Sequence, residues 1–315
     1  MATVETPPPV AGGADDYGPQ GRSEWMDIDW REHQRWVAID ERQVNLVEIG
    51  AGDPILWVHG HSGCWQNWLE NLPHFARTHR CIAVDLPGFG HSEMPRDPIS
   101  IEGYGRFLDS FCDALDITGA PVIGNSMGGF VACELALKAP PRVERLVLVS
   151  AAGLSTKYIG LPNEIQRRRS VVALARLINT YATIPEARVE TLMRRPRLRR
   201  LALEMVMAHP HRMPGPLCAE FLAGSGRPAA PDAMKAIVDY DYRERLDDVA
   251  APTLIVWGER DRVVPVKSAH LYEELIPNAR KVILEDTGHV PMAERPAAFN
   301  ALVEEFLAEP VSDAD

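Results

Sequence analysis

The chain predicts an α/β fold, a mostly parallel sheet with helices on both faces and a helical insertion. Three observations predict it. Short runs that are apolar throughout, at residues 55–58, 81–84, 146–149 and 253–257, alternate with stretches of helical spacing. Strands without a polar face belong in a sheet covered on both sides. The alternation breaks between residues 154 and 247, where no convincing β run occurs. Hydrophobic residues make up 46% of the 315 positions and charged residues 24%, enough to bury a sizeable core and too apolar for a disordered chain.

The elements follow in order. Residues 36–39 and 44–49 flank the polar Asp40-Glu41-Arg42-Gln43 and predict an opening hairpin. Residues 55–58 form a strand ending at His59-Gly60, residues 66–79 have helical spacing, and residues 81–84 form a strand ending at Asp85. A helix is expected over 101–117, with Phe107, Leu108, Phe111 and Leu115 at three- and four-residue steps. Val122-Ile123 is a short strand before Gly124, and 131–137 a helix stopped by Pro140-Pro141. Residues 281–284 make a last strand and 296–307 a closing helix. Residues 1–24 read as a disordered tail, with Pro7-Pro8-Pro9, Gly12-Gly13 and few large apolar groups, and 308–315 read the same way. The expected organisation is thus a core of 25–153 and 248–307 with a helical cap at 154–247.

Composition narrows the function. Net charge is 33 − 44 = −11, which argues against nucleic acid as the main partner. Five cysteines without a CxxC pair fit reduced thiols and a cytoplasmic setting. No apolar run reaches membrane-spanning length, and the N-terminal residues lack the basic-then-apolar order of a secretory signal. Residues 160–212 are unusual: eleven Arg and four Glu, with no Lys or Asp, give +7. Such a run is usually a solvated helical face, the alternative being attraction of an anionic substrate. Arg167, Arg168 and Arg169 are consecutive, so they spread around a helix. Tyr158, Leu161, Ile165, Leu174, Leu177, Ile178, Tyr181, Met205 and Met207 are apolar cap positions, most of them expected to be packing.

The sharpest motif is Gly124-Asn125-Ser126-Met127-Gly128-Gly129, a G-x-S-x-G between a strand and a helix. This context lifts a serine hydroxyl to the sheet edge at a helix N-terminus, where free backbone N–H groups favour developing negative charge. A serine hydroxyl needs a base. His289, in Asp286-Thr287-Gly288-His289-Val290-Pro291, follows the last strand. An orienting acid is expected at Asp261, one short loop beyond the 253–257 strand, with Glu259 the solvated competitor. The chain order Ser126, Asp261, His289 is that of the nucleophile-elbow hydrolases rather than of either protease order. The two oxyanion donors are expected to be the amides of Met127 and of His61, with Ser62 the alternative for the second. His59 with His61, and His209 with His211, form HxH pairs, but spacing suggests no third zinc ligand.

Together with Asp85-Leu86-Pro87-Gly88-Phe89-Gly90-His91-Ser92, the His59-Gly60 step and the 258–265 loop, these motifs resemble those of the α/β-hydrolase fold. The resemblance covers about 34–153 and 248–307. It implies an eight-stranded mostly parallel sheet, a lid over the active site and no cofactor. The glycines at 88 and 90 then serve a turn rather than a phosphate, and no GxxxxGK[ST] occurs. A serine at the elbow, where related dehalogenases and epoxide hydrolases carry aspartate, implies acyl chemistry. The simplest expectation is a carboxylic ester hydrolase using a Ser-His-Asp triad and an acyl-enzyme. The alternative is a carbon–carbon bond hydrolase of the meta-cleavage-product type, which the Asn125–Gly129 string and Trp65-Gln66-Asn67 resemble. Against it stand the short loop after Gly60 and Val290, where that group usually carries tryptophan. A third reading is a receptor-like ligand-binding protein of the same fold, disfavoured by the complete triad.

Overall fold

The computed structural model describes residues 16–154, 186–223 and 227–310. Eight strands form one sheet: β1 (Gln34–Ile39), β2 (Arg42–Ile49), β3 (Pro54–Val58), β4 (Arg80–Val84), β5 (Ala120–Asn125), β6 (Val143–Val149), β7 (Thr253–Gly258) and β8 (Ala279–Leu284). Their spatial order is β1-β2-β4-β3-β5-β6-β7-β8. β2 runs antiparallel to both of its neighbours, and β3 to β8 run parallel. The expected α/β-hydrolase fold is therefore present, its opening hairpin included. That hairpin is tighter than expected: only Asp40 and Glu41 lie outside the strands, both at positive φ (49° and 58°). Such a two-residue turn matches the twist of the strands it joins.

The described helices are α1 (Leu72–Phe75), α2 (Ile101–Ala114), α3 (Met127–Lys138), α4 (Glu186–Met193), α5 (Pro196–Leu203), α6 (Gly215–Ala223), α7 (Ala230–Asp239), α8 (Lys267–Leu275), α9 (Pro291–Glu294) and α10 (Pro296–Ala308). The helix expected over 66–79 is broken into a 3-10 turn (Trp65–Trp68) and the single turn of α1. Pro73 is the reason, because proline lacks an N–H and fits only a helix's first turn. α2 opens on Ser100, whose side chain accepts the Gly103 N–H.

Two apolar layers sandwich the sheet. α2 and α3 cover one face, burying Leu108, Phe111, Phe130 and Val131 against Leu56, Val122 and Leu148. Trp68, Leu72 and Phe75, with Phe299 and Val303 of α10, cover the other against Ile55, Trp57 and Leu254. Each of these large side chains contributes about 1.5–3 kcal/mol by leaving water.

Register places the functional loops. Val58 of β3 pairs with Gly124 of β5, so the loop from His59 begins beside the elbow. Gly258 of β7 pairs with Leu284 of β8, so the loops carrying Asp261 and His289 leave the sheet side by side.

One expectation is corrected. Residues 16–24 do not form a disordered tail: Tyr17 is buried, its hydroxyl donates to Glu294 at 2.6 Å, and the Gly18 amide donates to the Glu294 carbonyl at 2.6 Å. Two polar anchors and one aromatic ring offset the ordering entropy of a segment whose composition looks too polar to fold. The described residues between β6 and β7 are helices α4 to α7 and short 3-10 turns. Tyr158, Leu161, Ile165, Arg167, Arg168, Arg169, Leu174, Leu177, Ile178 and Tyr181 lie outside the described residues. Met207 is buried, and Met205 is half-buried. Arg199 is buried too, its guanidinium donating to the carbonyls of Met193 (2.6 Å), His211 (3.0 Å) and Pro210 (3.3 Å), so this arginine ties the helices together. All five cysteines are free and buried. Among the described residues no helix is long and apolar enough to cross a membrane.

Candidate active site

Ser126 stands between β5 and α3 at φ 54°, ψ −116°, a conformation L-residues avoid. Holding a non-glycine residue there costs on the order of 1–3 kcal/mol, and the surrounding packing enforces it. Gly128 shows how: a Cβ on it would lie 2.2 Å from the Val58 carbonyl oxygen, so only glycine lets α3 press this close to β3. The Ser126 amide donates to the Val149 carbonyl at 2.9 Å and its carbonyl accepts from Phe130 and Ala152, which pins the backbone. Its side chain makes no capping bond to α3. Met127 opens α3, so its amide has no partner in a preceding helical turn.

The loop after β3 lies against the serine. A Cβ on Gly60 would meet the Ser126 Cβ at 3.1 Å and the Asn125 Oδ1 at 3.0 Å. The loop turns through a Gly63 N–H bond to the Gly60 carbonyl (3.0 Å), with Ser62 at φ 58°. The His61 ring reaches away, its Nε2 2.7 Å from the Ala230 carbonyl at the start of α7. His59 is wholly buried: its Nε2 accepts the Leu86 N–H at 3.0 Å, which places the proton on Nδ1, 2.7 Å from the Gly60 carbonyl. Burial lowers the pKa of both imidazoles. His59 is thus committed to the loop that faces Ser126. In the other HxH pair, His209 is held by Asp286 at 2.8 Å.

On the far side of the elbow, His289 Nδ1 lies 2.8 Å from Asp261 Oδ2. The Asp261 side chain is fully buried and that of His289 nearly so. The other carboxylate oxygen of Asp261 accepts the amides of Val263 (2.8 Å) and Val264 (2.9 Å), so the acid is fixed before the imidazole meets it. This arrangement assigns the Nδ1 proton to the carboxylate side and leaves Nε2 as the basic nitrogen. Glu259 is exposed and accepts the Asp286 amide at 3.1 Å instead. The two halves meet through Asn125, the residue before the serine, whose Nδ2 donates to the Val149 carbonyl (3.1 Å) and reaches the His289 carbonyl (3.4 Å). Asp85 serves the scaffold: it accepts the amides of Trp65 (2.8 Å) and His91 (3.0 Å) and the Asn45 side chain (2.7 Å). Among the described residues no cluster of three or more His, Cys, Asp or Glu could hold a metal ion.

The sequence reading missed Glu294 and Tyr17. Glu294 is fully buried and accepts hydrogen bonds from four donors, two of them the Gly288 and Val290 amides on either side of His289. A faint signal existed: an acid at the end of α9, five residues past the histidine, with prolines at 291 and 296 bounding the turn.

The family model for the α/β hydrolase fold matches residues 53–296. The chain belongs to this family. It is 30% identical over 285 residues to the 2-hydroxy-6-oxononadienedioate/2-hydroxy-6-oxononatrienedioate hydrolase of Cupriavidus pinatubonensis, covering 85% of this chain and 91% of that one. Among solved structures it resembles a meta-cleavage product hydrolase from Pseudomonas fluorescens (25% identity, TM-score 0.69), over 88% of this chain and 98% of that one. It also resembles an N-acyl homoserine lactone degrading enzyme (26% identity, TM-score 0.67), over 86% of this chain and 100% of the other. The relatives support a hydrolase, and they favour the carbon–carbon alternative over the ester hydrolase expected first.

Proposed function

We propose that this protein is a serine hydrolase of the meta-cleavage-product type, cleaving the carbon–carbon bond next to the 6-oxo group of a 2-hydroxy-6-oxo-dienoate. The observation that carries the catalytic part is the buried His289–Asp261 pair at 2.8 Å, on a loop that the Asn125 side chain reaches from beside Ser126. The substrate class comes from the relatives whose names carry 2-hydroxy-6-oxo acids.

In this reading Ser126 attacks the 6-oxo carbon as His289 takes its proton. Asp261 holds the imidazole in the required tautomer and stabilises its charged form. The Met127 and His61 amides hold the oxyanion. Carbon is a poor leaving group unless its electron pair can be delocalised. Once the 2-enol has moved its proton to C5, the 2-oxo group accepts that pair through the C3–C4 double bond as the C5–C6 bond breaks. The imidazolium returns a proton to the departing dienolate, giving the dienol, and water, activated by His289, clears the acyl-serine. Ester hydrolysis is the second reading. The same groups would perform it, and likeness to a lactone-degrading enzyme supports it.

A substrate panel tests the choice. A 2-hydroxy-6-oxo-dienoate, p-nitrophenyl acetate and p-nitrophenyl butyrate are each assayed with wild type and Ser126→Ala. The dienoate is expected to give a kcat/KM at least about tenfold above either ester, and the variant to lose about 10⁴-fold or more in kcat. Ester turnover exceeding dienoate turnover would favour the ester reading. Equal rates in wild type and Ser126→Ala would end both.

A further inference from the structure

The His289 loop is held from behind by a buried carboxylate. Glu294 Oε2 accepts the Tyr17 hydroxyl at 2.6 Å and the Ala208 amide at 2.7 Å. Both of its oxygens lie 3.0 Å from the Gly288 amide, and Oε1 is 3.3 Å from the Val290 amide. Every one of these neighbours is a donor, so the group that satisfies them all is the ionised carboxylate. The two amides of the loop belong to the residues on either side of His289. The His289 amide itself donates to the Val206 carbonyl at 2.7 Å. Three consecutive backbone N–H groups are therefore fixed, two by Glu294 and one by the segment that Glu294 also holds at Ala208.

Tyr17 closes this cluster. Its hydroxyl accepts the His209 amide at 2.8 Å while donating to Glu294, and the Gly18 amide bonds the Glu294 carbonyl. The guanidiniums of Arg212 and Arg295 lie over its ring at 5.0 and 5.5 Å from the centroid. Arg295 is buried, pairs with Asp16 and donates to the Thr287 hydroxyl at 2.9 Å. Segments at 16–18, 206–209 and 287–295 thus meet at one carboxylate, which faces the backbone of His289 while Asp261 faces its ring.

We propose that Glu294, itself oriented by Tyr17, is a positioning residue for His289: it sets the place of the imidazole by fixing the backbone on both sides of it. The proposal rests on the reading of His289 as the base. An error of about 1 Å in a catalytic group costs up to about 10²-fold in rate, so a group that acts only on backbone position has large leverage. Glu294→Gln puts an N–H₂ where the Ala208 amide needs an acceptor. Tyr17→Phe removes one donor to the carboxylate and the acceptor for His209, leaving the loop itself intact.

The test measures two things in full-length wild type, Glu294→Gln and Tyr17→Phe. The first is the kcat and KM on the best substrate of the panel. The second is the far-downfield proton resonance of the His289 Nδ1–Asp261 hydrogen bond, read in each protein by NMR. Glu294→Gln is expected to lower kcat roughly 10- to 100-fold with KM changed by less than about threefold, and to weaken or abolish the resonance. Tyr17→Phe should do the same to a smaller extent, roughly 3- to 10-fold in kcat, and it carries the test if Glu294→Gln does not fold. A folded variant with wild-type kcat and an unchanged resonance overturns the proposal, and so does a kcat loss with the resonance intact. If wild type turns over no substrate of the panel, the functional reading fails, while the resonance still decides whether Glu294 places His289.

Discussion

The elbow and the histidine loop face each other across the sheet edge and are built in opposite ways. The elbow is a local object. Its serine is strained, and a Cβ added at Gly60, Gly124, Gly128 or Gly129 would lie only 2.2–3.0 Å from a neighbouring atom, so it is fixed sterically. The histidine loop is a long-range object. Its shape depends on Glu294, on Tyr17 some 277 residues earlier in the chain, and on Val206 and Ala208 from the helical stretch between β6 and β7. A site half made by sterics and half by polar satisfaction has two modes of failure. The first half breaks when an atom is added, the second when a hydrogen-bond partner is removed.

The largest effect is expected on the histidine side. Asp261→Asn presents an N–H₂ or a weaker acceptor to Nδ1 and favours the wrong tautomer, so kcat should fall about 10⁴-fold. Near-normal kinetics in that variant would transfer the role to Glu259 or another acid. On the elbow side, Gly128→Ala puts a methyl 2.2 Å from a carbonyl oxygen of a central strand. A loss of about 3 kcal/mol or more in urea unfolding is expected, and an unchanged midpoint would show that α3 can slide away from β3.

The two sides should also answer pH with opposite sign. Burial lowers the pKa of His59 from 6.5, so the folded state favours its neutral form. The stability it contributes is fully present above pH 6.5 and is lost as pH falls through its folded value. Wild type and His59→Gln, compared by thermal unfolding, should converge in stability as pH drops below 6.5. Burial raises the pKa of Glu294 from 4.5 despite its donors. The ionised form that holds the loop therefore carries a desolvation cost that the unfolded chain lacks, so the net stability from this group falls as pH rises above 4.5 through the folded value. The Glu294→Gln variant should accordingly compare better with wild type at neutral pH than at acid pH. A parallel pH response of the two comparisons would dissolve the contrast. The smallest effect is expected at exposed Glu259, where Glu259→Gln should change kcat by less than about twofold.

The same contrast explains what the sequence reveals. The fold was legible because β3 to β7 are apolar runs bounded by loops, and the elbow because six consecutive residues carry its whole geometry. Asp261 and His289 were legible as loops after strands in the right chain order. Pro73 separates α1 from the Trp65–Trp68 turn, which a periodicity count over 66–79 passes over. Tyr17 and Glu294 were not legible, because neither has a local pattern: a tyrosine between Asp16 and Gly18 reads as tail until the carboxylate it serves is in place. Substrate choice was legible only in part. The Asn125–Gly129 string pointed toward the carbon–carbon hydrolases, but Val290 and the short loop after Gly60 pointed away, and the names of the relatives favour the former.

The central claim is that the hydroxyl at 126 is made nucleophilic by the imidazole at 289. Phosphonylation by a fluorophosphonate, followed by peptide mass mapping, reads it without any choice of substrate. Wild type should carry the label on Ser126, and His289→Ala should acquire it at least about 10²-fold more slowly. A label on another residue, or an equal labelling rate in the two proteins, would contradict the account.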